Sequence, residues 1–105
     1  MFKFSVPTIP EKIKLIEESP NSIGLHLTSW INNGCPIQRY IVEYRMKTTK
    51  KWFLISDTVK PEDKHFIIPD LQPATWYTLR MTAENSAGEA IAEHDFATLT
   101  SAGGK

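Results

Sequence analysis

Between Tyr77 and Glu84 the chain alternates without a break, with Tyr77, Leu79, Met81 and Ala83 on one face and Thr78, Arg80, Thr82 and Glu84 on the other. Period two is the signature of a strand with one buried face. Asn85-Ser86-Ala87-Gly88 follow, turn chemistry in which Asn and Gly can supply positive φ. The strand is therefore expected to double back into a second one, from about Ala90 to Leu99, with Phe96 as its core anchor. Leu71 and Pro73 stand a few residues ahead of Tyr77. That is the spacing of a tyrosine corner, in which the phenol is buried while its hydroxyl reaches the upstream backbone.

The same pattern recurs upstream. Ile13 and Leu15 among Lys12, Lys14 and Glu17 predict a short first strand with charge outward. Ile23, Leu25 and Leu27 predict a second. Trp30 lies three residues beyond Leu27, the wrong parity for the buried face, so a β-bulge or local kink is expected at Thr28-Ser29 to bring the indole inward. Tyr40, Val42 and Tyr44 form the inner face of a third strand. Trp52 to Ile55 are apolar without alternation, and one of Trp52 or Phe53 is expected at the surface. Thr58 to Lys64 reads as loop. Phe66, Ile68 and Leu71 make the inner face of the strand before the corner. Short strands with turns every eight to twelve residues and no helix-period segment point to an all-β sandwich. Its predicted core is Trp30, Tyr40, Val42, Leu71, Pro73, Tyr77, Leu79, Met81 and Phe96.

Leu71-x-Pro73-x-Thr75-x-Tyr77, the alternation after it, Asn85 and Gly88 resemble the corner and final hairpin of a fibronectin type III domain. The resemblance covers nearly the whole chain and implies a seven-stranded immunoglobulin-like β-sandwich over residues 11–100, flanked by linkers at 1–10 and 101–105. Gly34-Cys35-Pro36-Ile37, Pro73-Ala74-Thr75-Trp76-Tyr77 and Phe96-Ala97-Thr98-Leu99-Thr100 resemble more closely a membrane-proximal fibronectin domain of neuronal cell-adhesion receptors. What this implies is a non-catalytic extracellular module of a single-pass receptor in the cell membrane, acting as a spacer and a surface for lateral or homophilic contact with other domains or copies of the receptor. Two other readings stand beside it: ligand capture through the loops around Asn32–Pro36 and Asn85–Glu89, and a filament-associated intracellular domain. The Arg-Gly-Asp and Trp-Ser-x-Trp-Ser motifs found in some fibronectin domains are absent, as is any Asn-x-Ser/Thr sequon.

Composition changes this picture little. A chain of 105 residues is one domain's worth and can bury roughly two thirds of its unfolded surface without metal or disulfide. Its 12 basic and 12 acidic residues cancel, so no global field favours nucleic acid or an anionic membrane. Cys35 is the one cysteine, which leaves no internal disulfide, and nothing in its Gly-Cys-Pro loop would activate the thiol. His26, His65 and His94 fall on three different strands, His26 facing outward and His94 sharing the parity of Phe96. No metal-ligand spacing, phosphate loop or nucleophile motif is present, so no cofactor and no catalysis are expected. Arg45, Lys47, Lys50, Lys51 and Trp52 form the one basic cluster, at a hairpin tip, and are the candidate protein-binding residues.

Overall fold

The period-two segments pair into two antiparallel sheets, and the computed structural model describes residues 5–101. The strands are β1 (Ile16–Glu18), β2 (Ile23–His26), β3 (Arg39–Met46), β4 (Phe53–Val59), β5 (His65–Ile68), β6 (Trp76–Asn85) and β7 (Gly88–Ala97). A three-stranded sheet runs β1-β2-β5 and a four-stranded sheet runs β4-β3-β6-β7. The expected all-β sandwich is thus the fold observed. Nothing of the structure of residues 1–4 and 102–105, which include most of the predicted C-terminal linker, lies within the described range.

The core is the sum of the inner faces. Leu25, Ile23 and Ile68 from one sheet meet Val42, Leu79, Met81 and Phe96 from the other, all fully buried. Each was on the apolar phase of its strand, and removing such side chains from water is what holds the layers together. The predicted residues Trp30, Tyr40, Leu71 and Tyr77 are also buried, and Pro73 lies half-buried in the corner. Tyr77 stacks on Phe96 with centroids 5.5 Å apart and meets Tyr44 edge-on at 5.7 Å.

The structure corrects the first predicted strand. Lys12–Leu15 form one helical turn, α1, in which Glu11 O accepts from the N–H groups of both Lys14 and Leu15. Strand geometry would put Ile13 and Leu15 on the same face, but a helical turn points them apart. Leu15 is consequently 0% exposed and Ile13 86%, and β1 starts only at Ile16. The predicted kink before Trp30 exists as a single 3₁₀ turn at Leu27–Ser29. Ser29 Oγ donates back to His26 O at 2.6 Å, and the turn delivers Trp30 to the core at 6% exposure, 5.9 Å from the Tyr40 ring.

Of Trp52 and Phe53, Phe53 is the surface residue, 44% exposed, with Leu54 beside it at 58%, whereas Trp52 lies against two guanidinium groups. A second correction is that Thr58 and Val59 belong to β4 rather than to a loop. Val59 pairs with Tyr40 across register irregularities in the ladder and adds to the core, a burial that its lone apolar position did not predict.

Candidate functional site

The candidate features lie at the two poles of the sandwich, joined by the segments at 5–10 and 98–101, and on the outer sheet faces between them. β6 spans the distance from pole to pole. Ten residues long, it extends about 30 Å at the usual strand rise.

At the upstream pole the incoming segment is bonded to the loops after β2 and β6. Thr8 and Ile31 exchange backbone hydrogen bonds at 2.8 and 3.5 Å. Asn33 Nδ2 donates to Val6 O at 2.9 Å and to Thr8 Oγ1 at 2.8 Å. Asn85, 3% exposed, donates from Nδ2 to Ser5 O at 2.8 Å and Asn32 O at 3.2 Å, while its Oδ1 accepts from Ala87 N–H at 2.9 Å. A buried amide joins the incoming chain and both loops because each otherwise leaves carbonyls unpaired. Gly88 sits at φ 138, and a β-carbon there would meet Val6 Cγ1 at 3.1 Å. Glycine therefore serves both the turn and the close passage of the incoming segment. The part of the predicted linker from Ser5 to Pro10 is thus bonded to the domain. Cys35 is buried in the same pole as a free thiol.

At the downstream pole the outgoing segment is tied in the same way. Thr98, 4% exposed, donates from Oγ1 to Gln72 O at 2.6 Å and accepts from Thr75 N–H at 3.0 Å. Leu99 bonds through its backbone to Ser19 and Ala74. The Tyr77 hydroxyl accepts from Gln72 N–H at 2.8 Å, completing the predicted corner. Asp70 and Ala74 take positive φ on either side of it.

The outer face of the four-stranded sheet is a ladder of charge. Arg80 donates to both carboxylate oxygens of Glu43, at 3.2 and 2.8 Å, and Arg39 Nε donates to Glu84 at 3.2 Å. The Glu43 hydrogen bond is the main reason the Arg80 guanidinium is held above its ordinary pKa. Trp52 is stacked against Arg80 at 4.0 Å and Arg45 at 5.1 Å from the ring centroid. The predicted basic cluster is in this way divided by the structure. Arg45 also donates to Lys47 O and Thr49 O, Lys47 pairs with Asp95, and the Lys51 ammonium lies 5.5 Å from the Phe53 ring. Lys50 is exposed. Asp95 also accepts from Thr78 Oγ1 at 2.7 Å. The Lys47 ammonium and then this hydroxyl hold its carboxyl below the usual range. Tyr40, whose hydroxyl donates to Leu27 O at 3.3 Å, is pushed up to about 12 by burial.

Asn33, Asn85 and Thr98 were not among the predicted site residues. The sequence marked Asn33 and Asn85 only as turn formers, because their partners lie 25 to 80 positions away. The single available signal was turn chemistry next to the strongest strand.

Comparison with known proteins gives this geometry its context. The family model of the DSCAM/DSCAML C-terminal Fn3-like domain matches residues 18–105. The chain belongs to this family. Cell adhesion molecule Dscam1 of Drosophila melanogaster is 50% identical over 98 residues, covering 93% of this chain and 5% of that protein. Cell adhesion molecule DSCAM of Homo sapiens is 43% identical over 77 residues, covering 73% of this chain and 4% of that protein. The chain therefore spans about one twentieth of the relatives it matches. Among solved structures, the fn3 domain of human collagen alpha-1(XX) chain superposes with a TM-score of 0.67 at 23% identity, over 92% of this chain and 87% of that one. A human FNIII domain solved in solution gives a TM-score of 0.63 at 20% identity, over 93% and 81%. Both likenesses concern the fold. The Dscam-type Fn3 domain is thus a module of cell adhesion molecules, built as a fibronectin type III sandwich.

Proposed function

We propose that this Dscam-type Fn3 domain is a non-catalytic extracellular module of a membrane-anchored, single-pass neuronal adhesion receptor, and that it works as a stiff spacer. The observation that carries the reading is the pair of ties at opposite poles. Asn33 and Asn85 hold the incoming segment, Thr98 and Leu99 hold the outgoing one, and β6 separates them. A module whose two connections are bonded to its own loops fixes the direction in which each neighbour leaves. One whose connections begin as free linkers does not. On this reading the working unit begins ahead of Glu11. The Asn33 and Asn85 amides, in the two loops that the ligand-capture reading invokes, are already engaged by the incoming segment.

Solution scattering on this domain joined to its natural neighbours tests the reading. An extended particle is expected, with an interdomain angle that broadens when Asn85 is replaced by Ala. A freely jointed distribution for the unaltered protein would overturn it. Lateral contact through the basic hairpin is the companion proposal, with Arg45, Lys47, Lys50, Lys51 and Trp52 as its candidate residues. Lys50→Glu with Lys51→Glu is expected to weaken receptor clustering on cells at unchanged melting temperature, and undiminished clustering would remove the hairpin from consideration.

A further inference from the structure

Trp76 opens β6 on the outward parity of Thr78 and Arg80, and its indole stands 54% exposed. Its neighbours explain why so large a ring is left uncovered. Across the β6–β7 ladder its register partner is Ala97, whose methyl group cannot shield an indole. On the other flank Lys47 N–H donates to Trp76 O at 3.0 Å, so the side chain arriving there is a long cation. The helical turn α1 brings in a second one, with Lys12 Nζ 5.8 Å from the Trp76 ring centroid. Lys12, Lys47, Thr48, Trp76 and Asp95 together line an open groove of about 670 Å³. An aromatic surface set among a few polar groups in a concavity is the usual make-up of a small-ligand site, and the spacer reading leaves it unused.

We propose that this groove binds an acidic saccharide, a sugar chain bearing sulfate or carboxylate groups, with one sugar ring laid on the Trp76 indole and its anionic groups held by the ammoniums of Lys12 and Lys47. One face of a pyranose presents C–H bonds and is weakly positive, while the face of an indole is electron-rich, so the two stack. The rim of the sugar carries hydroxyls and anions. Thr48 can donate to or accept from a hydroxyl, Asp95 can accept from one, and each ammonium offers three donors to a sulfate or carboxylate.

Charge sets the sign of the ligand. Two ammoniums line the groove against one carboxylate, and that carboxylate is already engaged by Lys47 and by Thr78 Oγ1. Arg45 is close enough to act on Asp95 as well, so the surplus around the ring is positive and attracts an anion. Lys12 stands over the ring on a flexible four-carbon stem, and it swings to the rim as the sugar enters. Shape separates a sugar from a lipid surface. A bilayer takes up protruding apolar side chains, whereas this indole lies in a concavity beside the Asp95 carboxylate, which repels anionic head groups and accepts sugar hydroxyls.

The test is calorimetric titration of the domain with a heparin-derived octasaccharide at about 0.15 M salt, where attraction between distant charges is screened. Saturable binding is expected, weakened at least about fivefold by Trp76→Ala and about two- to fivefold by each of Lys12→Gln and Lys47→Gln. Asp95→Asn, which removes the carboxylate and frees Lys47, is expected to tighten binding by about as much. Trp76→Ala changes no charge, so its loss reports the stacked ring rather than a general attraction to polyanions. Trp76 is exposed and Lys12 and Lys47 are exposed or half-buried, so the variants are expected to fold, which circular dichroism checks. In the unaltered protein the Trp76 indole N–H resonance is expected to shift during the titration. Undiminished binding in Trp76→Ala would overturn the proposal, as would no saturable binding up to about 1 mM octasaccharide. Sedimentation of the domain with phosphatidylserine vesicles, without octasaccharide binding, would overturn it in favour of a lipid contact. The scattering result for the spacer does not depend on any of these outcomes.

Discussion

Replacing Tyr77 by Phe isolates the bond on which the corner depends. The ring, stacked on Phe96 and edge-on to Tyr44, stays where it is. What disappears is the acceptor for Gln72 N–H at 2.8 Å. A net hydrogen bond in a folded protein contributes about 0.5–1.5 kcal/mol, and a donor stranded away from water costs about 1–3. Gln72 itself is exposed, so water reaches its amide and the loss lies toward the lower figures, about 1–1.5 kcal/mol. In urea the midpoint should fall with an unchanged slope, and the melting temperature should drop by about 4–8 °C per kcal/mol. Hydrogen exchange at the Gln72 amide should accelerate. Tyr77→Leu, which also removes both aromatic contacts, should cost about 3 kcal/mol or more. A Phe variant within about 0.3 kcal/mol of the parent, with Gln72 still protected, would refute the reasoning, since the hydroxyl would then hold nothing that folding needs.

Thr98→Val keeps the shape but removes the partner of Thr75 N–H and Gln72 O in a partly buried site. Chemical denaturation should show a loss of about 1–2 kcal/mol, with faster exchange at Thr75. Trp52→Ala removes a ring that lies against Arg45 and Arg80. Its cost beyond lost area, about 1 kcal/mol or less at this partly solvated site, should disappear in a double-mutant cycle with Arg80→Leu if the stacking reading is wrong. Burial raises Tyr40 to about 12, so its folded form holds the phenol proton more tightly than the unfolded form. Stability from Tyr40 is intact below the ordinary tyrosine range and is lost as pH climbs through about 12, which ultraviolet titration of the phenolate beside thermal melts will follow. Asp95 has the opposite sign, since Lys47 and Thr78 lower its pKa. Asp95→Asn should therefore destabilise at neutral pH and make no difference once acid has taken the pH below that depressed value, as melts across an acid series will show.

Where strand period and burial agreed, the sequence sufficed. The inner faces around Val42, Leu79, Met81 and Phe96 and the corner at Tyr77 follow from alternation and spacing alone, since a residue's face in a strand is set by its parity. Parity failed where the backbone left the strand. Ile13 and Leu15 look like one face until a helical turn separates them, and Trp30 looks misplaced until a 3₁₀ turn restores it. The turn before Trp30 could be anticipated because a large indole needs a core. The turn at Lys12–Leu15 could not, because its cause is the carbonyl of Glu11 and the cover that Leu15 finds in the assembled sandwich.

The poles and the outer faces were decided by tertiary structure. Asn85, Asn33 and Thr98 are ordinary turn and strand-end residues in one dimension. They become ties because folding brings carbonyls distant in sequence within reach of a single side chain. The basic hairpin was legible as a run of charge, but which of its members stay solvated depends on Asp95 and Arg80 arriving from elsewhere. His26 and His65 likewise meet only through the register of β2 with β5. Local pattern fixes which way a side chain faces; the register between strands fixes what it faces, and that is written in no single stretch of the chain.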